Sequence, residues 1–239
     1  MIVGLALSTY SRPADVRFNV RLVREVWPET RHEYRIYLCH NNPKLRDEFE
    51  AIRGLDGIVE GKDLPYDSKP RLRCRQVNCW QTGVKAAIDA GCDYAVHFHA
   101  DAYIVHPEWI DGFIERMIRN RIVAAGRGYG LDHRSSKAQE GDVDDHFFIV
   151  SQGIGSEFFD PPGEVVMAAF ASEGYLATRM RCAAGERYEH YDDLSKNEHG
   201  RIPRAMHPFN WDPERFLLHT PHEDKRLEIM RRVYPDFEG

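Results

Sequence analysis

Residues 2–125 alternate short apolar runs with stretches of helical periodicity, and this alternation restricts the fold more than any other feature of the chain. Residues 2–7 form an apolar run of the kind a buried parallel strand requires. Ser11 is a candidate N-cap and Pro13 falls just inside the helix it would open, where a missing N–H costs nothing. Val16, Val20 and Val23 continue at helical spacing. Residues 34–39 read as a second strand running into the turn-rich His40-Asn41-Asn42-Pro43, residues 57–61 as a third, and 63–70 as loop. From Val77 onward, Trp80, Val84, Ala87 and Ile88 mark one helical face, with Gly91 as its stop. An apolar strand follows from Tyr94 and ends at Asp101. Pro107 then starts a helix with the stripe Ile110, Phe113, Ile114, Met117 and Ile118, and residues 122–125 give the next strand. Strands alternating with helices in this way predict an α/β fold: a mostly parallel central sheet with helices on both faces.

Beyond residue 126 the alternation fails. Residues 126–145 are polar, charged and poorly periodic and read as a loop. Residues 146–150 suggest a strand and 164–179 a helix. The tail from Glu189 is rich in His, Asp, Asn and Pro, with a last helix near 223–233. With 239 residues and no internal repeat, the reading is a single domain with an irregular C-terminal third. Residues 1–125 would form one half of it, and 126–239 the other half with the tail.

Charge and cysteine usage exclude several classes. A formal net charge of −6 argues against a nucleic-acid surface, which needs a basic face. The strip from Lys69 to Arg75 carries four cations and no acid, a better match to a phosphate-bearing ligand than to a duplex. The five cysteines are odd in number and irregular in spacing, with no Cys-x-x-Cys pair. That speaks against a disulfide framework and a cysteine-rich zinc site, and for small buried hydrophobes in a reducing compartment. No basic region precedes a long apolar run at Met1, and no apolar segment approaches the ~20 residues that span a bilayer. A cytoplasmic protein is expected, with a peripheral membrane contact left open.

The chemistry concentrates at the end of the fourth predicted strand, in His99-Ala100-Asp101. Ligands of open α/β sheets bind outside the carboxyl ends of the strands. A His-x-Asp placed there can hold a hard divalent cation against a phosphate; it can equally be a solvated strand end.

The segment Thr9-Tyr10-Ser11-Arg12-Pro13 resembles the first-strand motif of GT-A fold glycosyltransferases of the family 2 type, which read Thr-Tyr-Asn-Arg-Pro before an amphipathic helix. Residues 81–87 are similar to that family's Asn-x-Gly-x-x-x-Ala helix, with Gln81 in place of Asn. The block 86–109 matches further: a small-residue helix, a Gly-x-Asp-Tyr turn, an apolar strand, an acidic cluster and Pro-x-Trp-Ile. The resemblance implies a GT-A (Rossmann-like) domain that moves a sugar from a nucleoside-diphosphate donor to a hydroxyl acceptor, with inversion. The acceptor would be a glycan, a lipid-linked molecule or a small molecule.

The resemblance also implies roles. Thr9, Tyr10, Arg12, Asn42, Arg75, Asn78, Gln81 and Ala100 would contact the nucleotide, although His40-Asn41-Asn42 lacks the family's Asp that reads the base. Asp101, matching the last acid of the family's Asp-x-Asp, would coordinate Mn²⁺ or Mg²⁺, with His99 replacing a carboxylate and shifting preference toward a transition metal. His219 or His222 would supply a C-terminal ligand, and Trp211 would stack on a sugar or only pack. The base that takes the acceptor proton would be Glu173, with Asp145 second. A nucleotidyltransferase of related architecture is one alternative, disfavoured because residues 8–13 hold no glycine and one arginine. A binding module that has lost its metal site is the other.

Overall fold

The computed structural model describes residues 1–27, 29–65, 67–128, 142–190, 217–219, 228, 230, 231 and 234–236, with the side chains of 127, 128, 144 and 217–219 excepted. The alternation read from the sequence produces β1 (Ile2–Thr9), α1 (Pro13–Arg21), β2 (Glu33–His40), α2 (Arg46–Glu50), β3 (Gly57–Glu60), α3 (Lys69–Asp89), β4 (Tyr94–His99), β5 (Ala102–Ile104), α4 (Pro107–Asn120) and β6 (Ala124–Gly128). There follow β7 (Val143–Ser151), α5 (Glu164–Ala169), α6 (Ser172–Ala184), β8 (Tyr188–His190) and β9 (Leu217–His219).

Among the described residues, seven strands form one sheet in the order β3-β2-β1-β4-β7-β6-β8, and β5 pairs with β9 in a small second sheet. All neighbours in the large sheet are parallel except where β7 runs antiparallel to β4 and to β6. The chain is therefore an α/β domain with a mostly parallel sheet, as expected. Along β1 the side chains alternate between two cores. Val3, Leu5 and Leu7 meet Val16 and Val20 of α1, Phe49 of α2 and Ile110, Phe113 and Ile114 of α4. On the opposite face Ala6 joins Val77, Trp80, Val84 and Ala87 of α3 and Leu176 and Met180 of α6.

Several boundaries differ from the expectation. The N-cap of α1 is Arg12, with no side-chain cap, and not Ser11; Pro13 occupies the first turn, which moves the cap to the residue before it. Helix α3 starts at Lys69 behind a Ser68 cap, two turns before Val77, so the basic strip is helical. The helix expected over 164–179 is two, broken where Phe170 and Ala171 turn extended. Strands β6 and β7 extend into the polar segment expected to be loop. Most of the predicted last helix lies outside the described residues; Glu228, Met230 and Arg231 are helical and Met230 is buried. Four cysteines are buried and free as expected, but Cys182 is exposed. No helix among the described residues is long and apolar enough to cross a membrane.

Candidate functional site

β1 has β2 on one side and β4 on the other, all three parallel, so the order in which strands are added to the sheet reverses between β1 and β4. Such a switch point is where open α/β sheets bind ligands. The protein has an open cleft there of about 190 Å³. Its walls come from three elements: the end of β1 and the turn after it (Ser8 to Arg12), the end of β4 (His99, Ala100, Asp101), and one stripe of α3. That stripe, Leu72, Arg75, Gln76 and Cys79, has the i, i+3, i+4, i+7 spacing of a single helical face.

The charged residues of the lining are two guanidinium groups and one carboxylate. Arg12 reaches the Asp101 carboxylate at 3.3 Å and Asp15 at 3.1 Å. Burial opposes the Arg12 charge, but Asp101 and then Asp15 outweigh it, so the pKa of Arg12 rises above its ordinary value. Across the cleft, the guanidinium of the buried Arg75 lies 4.0 Å from the ring centre of Tyr10, a cation–π contact, with Asp63 3.9 Å away. Tyr10 is 42% exposed, an aromatic face presented to solvent at the rim. The Thr9 hydroxyl is buried without a hydrogen-bond partner among the described residues. A buried polar group in this condition is costly unless a ligand or water completes it.

The turn carrying Asp101 is held from two sides. The Ala100 N–H donates to the Ser8 carbonyl at 3.0 Å, and Asn19 of α1 donates to the Ala100 carbonyl at 2.8 Å. Beside it, the His99 ring lies 4.5 Å from that of His146 on β7, and His97 is fully buried between Trp80 and Phe148. Burial, then the proximity of His99 and His146, pushes the His97 pKa well below the ordinary value, so that ring is neutral.

Of the expected nucleotide contacts, the cleft gathers Thr9, Tyr10, Arg12, Arg75 and Ala100 together with His99 and Asp101. Asn42, Asn78 and Gln81 lie elsewhere. Asn42 accepts from the Lys44 N–H and caps a short turn, and Asn78 accepts from the Lys62 N–H. Gln81 donates to the carbonyls of Phe158 and Asp160 at 2.6 and 3.0 Å. Asn41 lines the cleft in place of Asn42, donating to the Arg75 carbonyl at 3.0 Å.

Glu173 is half-buried in the first turn of α6, where the Ser172 hydroxyl donates to it at 3.0 Å. Asp145 is buried and 3.4 Å from Nδ1 of His146. Because Phe147 pairs with Phe98, the first residues of β7 extend past β4 at the cleft end of the sheet. Asp145 is on that stretch, and Gly174 of α6 abuts Asp142 just before it. Both carboxylates are therefore at the cleft end of the sheet, though neither lines the cleft. The backbone of His219 pairs with Ala102, next to Asp101. His222 and Trp211 lie outside the described residues.

Among the described residues, no group of three His, Cys, Asp or Glu side chains is placed to hold a metal. One carboxylate and one imidazole can supply two donors to an ion that completes its shell with substrate phosphates and water, and the imidazole suits a transition metal better than Mg²⁺.

No family model and no curated protein matches the sequence. Among solved structures, all of this chain superposes on 41% of S. aureus TarS, with a TM-score of 0.51 at 10% identity. The chain thus spans less than half the length of that protein. The fold is GT-A-like. At such identity the likeness shows the fold alone. Weaker superpositions relate the chain to a protein from Desulfovibrio desulfuricans G20 proposed to be a nucleotide-diphospho-sugar transferase (TM-score 0.46, 12% identity, 80% of this chain and 79% of that one). Another is CMP:2-keto-3-deoxy-manno-octonic acid synthetase complexed with CTP (0.48, 11%, 99% of each chain). Only the first is close enough to speak to the fold.

Proposed function

We propose that the protein is a glycosyltransferase that takes a sugar from a nucleoside-diphosphate donor to a hydroxyl acceptor with inversion. The observation that carries this reading is the cleft between β1 and β4, where Arg12 and Arg75 outnumber the single carboxylate of Asp101 and Tyr10 offers an aromatic face at the rim. Guanidinium groups pair with phosphate oxygens in fixed fork geometry, and an aromatic face accepts a base or sugar by stacking. The Thr9 hydroxyl and Asn41 supply polar groups for orientation.

In this reading Asp101 and His99 hold a divalent cation, Mn²⁺ or Mg²⁺, with His219 or His222 as a further ligand. Bound there, the ion supplies charge neutralisation for the departing diphosphate. Arg12 and Arg75 bind and orient that diphosphate. Glu173 takes the proton of the acceptor hydroxyl, with Asp145 as the alternative base. Residues 1–125 then form the donor half and 126–239 the acceptor half.

The test incubates the protein with nucleoside-diphosphate sugars and scores sugar release or transfer. A general base contributes about 10²–10⁴-fold in rate, so Glu173→Gln should lose turnover on that scale while keeping donor affinity. A variant within about threefold of wild type, well below that contribution, would remove Glu173 from the mechanism and pass the role to Asp145. Consumption of a nucleoside triphosphate with a sugar phosphate, and no transfer from a diphosphate sugar, would favour a nucleotidyltransferase. Binding without turnover of either would favour a binding module.

A further inference from the structure

Arg12 stands between two carboxylates of different character. Asp15, in the first turn of α1, is buried, accepts a hydrogen bond from the Tyr103 hydroxyl at 2.6 Å, and holds Nη1 of Arg12 at 3.1 Å. Asp101 belongs to the cleft wall and meets Nη2 of the same guanidinium at 3.3 Å. Asp15 is thus a fixed anchor, tied through Tyr103 to β5, while Asp101 is the partner on the ligand side. The sequence motif gives no hint of this, since Asp15 lies beyond the strand-end turn and Tyr103 beyond the acidic cluster.

We propose that Arg12 is a displaceable counter-ion for Asp101, which it yields to a divalent cation only when phosphates arrive to take the guanidinium. This rests on the nucleotide-sugar reading of the cleft. A lone cation approaching Asp101 meets the positive charge of Arg12 and, within the described chain, finds His99 as its second donor. A nucleoside diphosphate changes both conditions: its oxygens give Arg12 a new anionic partner and give the ion further ligands. The planar fork can exchange one partner and keep the other, because its N–H groups point in separate fixed directions. Arg12 therefore stays on Asp15 while its second edge passes from Asp101 to phosphate. The consequence is positive coupling between cation and diphosphate, equal in both directions by linkage, with Asp15 and Tyr103 as positioning residues.

The test measures binding of Mn²⁺ alone to the whole chain, by electron paramagnetic resonance or calorimetry, with no nucleotide present. Removing the counter-ion with Arg12→Gln should tighten Mn²⁺ binding at least about fivefold, the lower end of ordinary coupling factors. The gain should vanish when Asp101→Asn is added. Arg12→Gln that binds Mn²⁺ no better than wild type overturns the proposal, as does a gain that survives Asp101→Asn. The Arg12 side chain is 44% exposed, so folding should survive, and a melting curve checks it. Should that variant fail to fold, Arg12→Lys, which keeps the charge and loses the fork, must show a smaller gain of the same sign. A wild-type protein that binds no nucleoside diphosphate would defeat the glycosyltransferase reading, while the Mn²⁺ comparison would still decide the counter-ion role.

Discussion

His40, at the end of β2, is 1% exposed and packs against Phe49 with ring centres 4.7 Å apart. Burial lowers its pKa, and Glu60, 3.8 Å away, offsets only part of that. An unfolded histidine titrates near ~6.5, so below that pH the unfolded chain gains a proton that folded His40 resists. The contribution to stability is complete above the unfolded pKa and is lost as pH falls below it, by up to about 1.4 kcal/mol per pH unit per group. The buried His97 acts in the same direction. Urea unfolding at pH 7.5 and 5.5 should show reduced stability at the lower pH, with a smaller reduction in His40→Phe; equal reductions would contradict a neutral His40. At this scale the sequence was informative where residues directly follow an apolar strand, because the strand end fixes where they point. Thr9, Tyr10, Arg12, His99 and Asp101 all reach the cleft for this reason. Asn78 and Gln81 were harder to place because the apolar face that phases their helix does not say which polar positions meet the strand ends, and both fall outside the stripe of Leu72, Arg75, Gln76 and Cys79. The Asp15–Arg12–Asp101 bridge was not legible, since it joins residues 86 positions apart only after β1 and β4 pair.

The approach of α3 to β1 decides how closely its cleft-facing stripe can stand to the strand ends. A Cβ built on Gly4 would lie 2.6 Å from the Ala87 Cβ and 3.1 Å from the Cys92 sulfur; one on Gly83 would lie 3.0 Å from the Cys39 Cβ. Gly4 and Gly83 thus form a tight seam with Ala87, Cys92 and Cys39 between helix and sheet, and Arg75 and Cys79 follow one to two turns nearer the helix start. Gly4→Ala should destabilise by about 1–3 kcal/mol, the usual cost of overpacking a close-packed site. Urea unfolding checks it, and a change within about 0.5 kcal/mol, as at an unconstrained surface site, would show that the seam can relax. Helices and strands with clean periodicity were readable, as α4 and β1 show. The break between α5 and α6 was not, because Phe170 and Ala171 carry no glycine or proline signal. The three-residue β5 was too short for a periodic signal, and its partner β9 lies 113 residues further on by their paired positions Ile104 and Leu217.

For the whole molecule, strand order matters more than any single motif. Alternation in the first 125 residues predicted parallel pairing, and it could not show that β7 would insert antiparallel between β4 and β6. That insertion brings Asp145 and His146 to the cleft end of the sheet and sets α6, with Glu173, beside them. The donor half of the proposed site was therefore largely legible, and the acceptor half depended on long-range pairing. The central claim is that the cleft between β1 and β4 binds a nucleoside diphosphate through Arg12 and Arg75. The most direct test is the melting temperature of the wild-type chain and of Arg75→Ala with UDP, GDP, CDP and ADP, each with Mn²⁺. A ligand at about 100 times its dissociation constant adds roughly 2.7 kcal/mol to the native state. At least one nucleotide should raise the wild-type melting temperature accordingly, and Arg75→Ala should lose most of that rise. No shift with any of the four, or a full shift retained in Arg75→Ala, would contradict the claim.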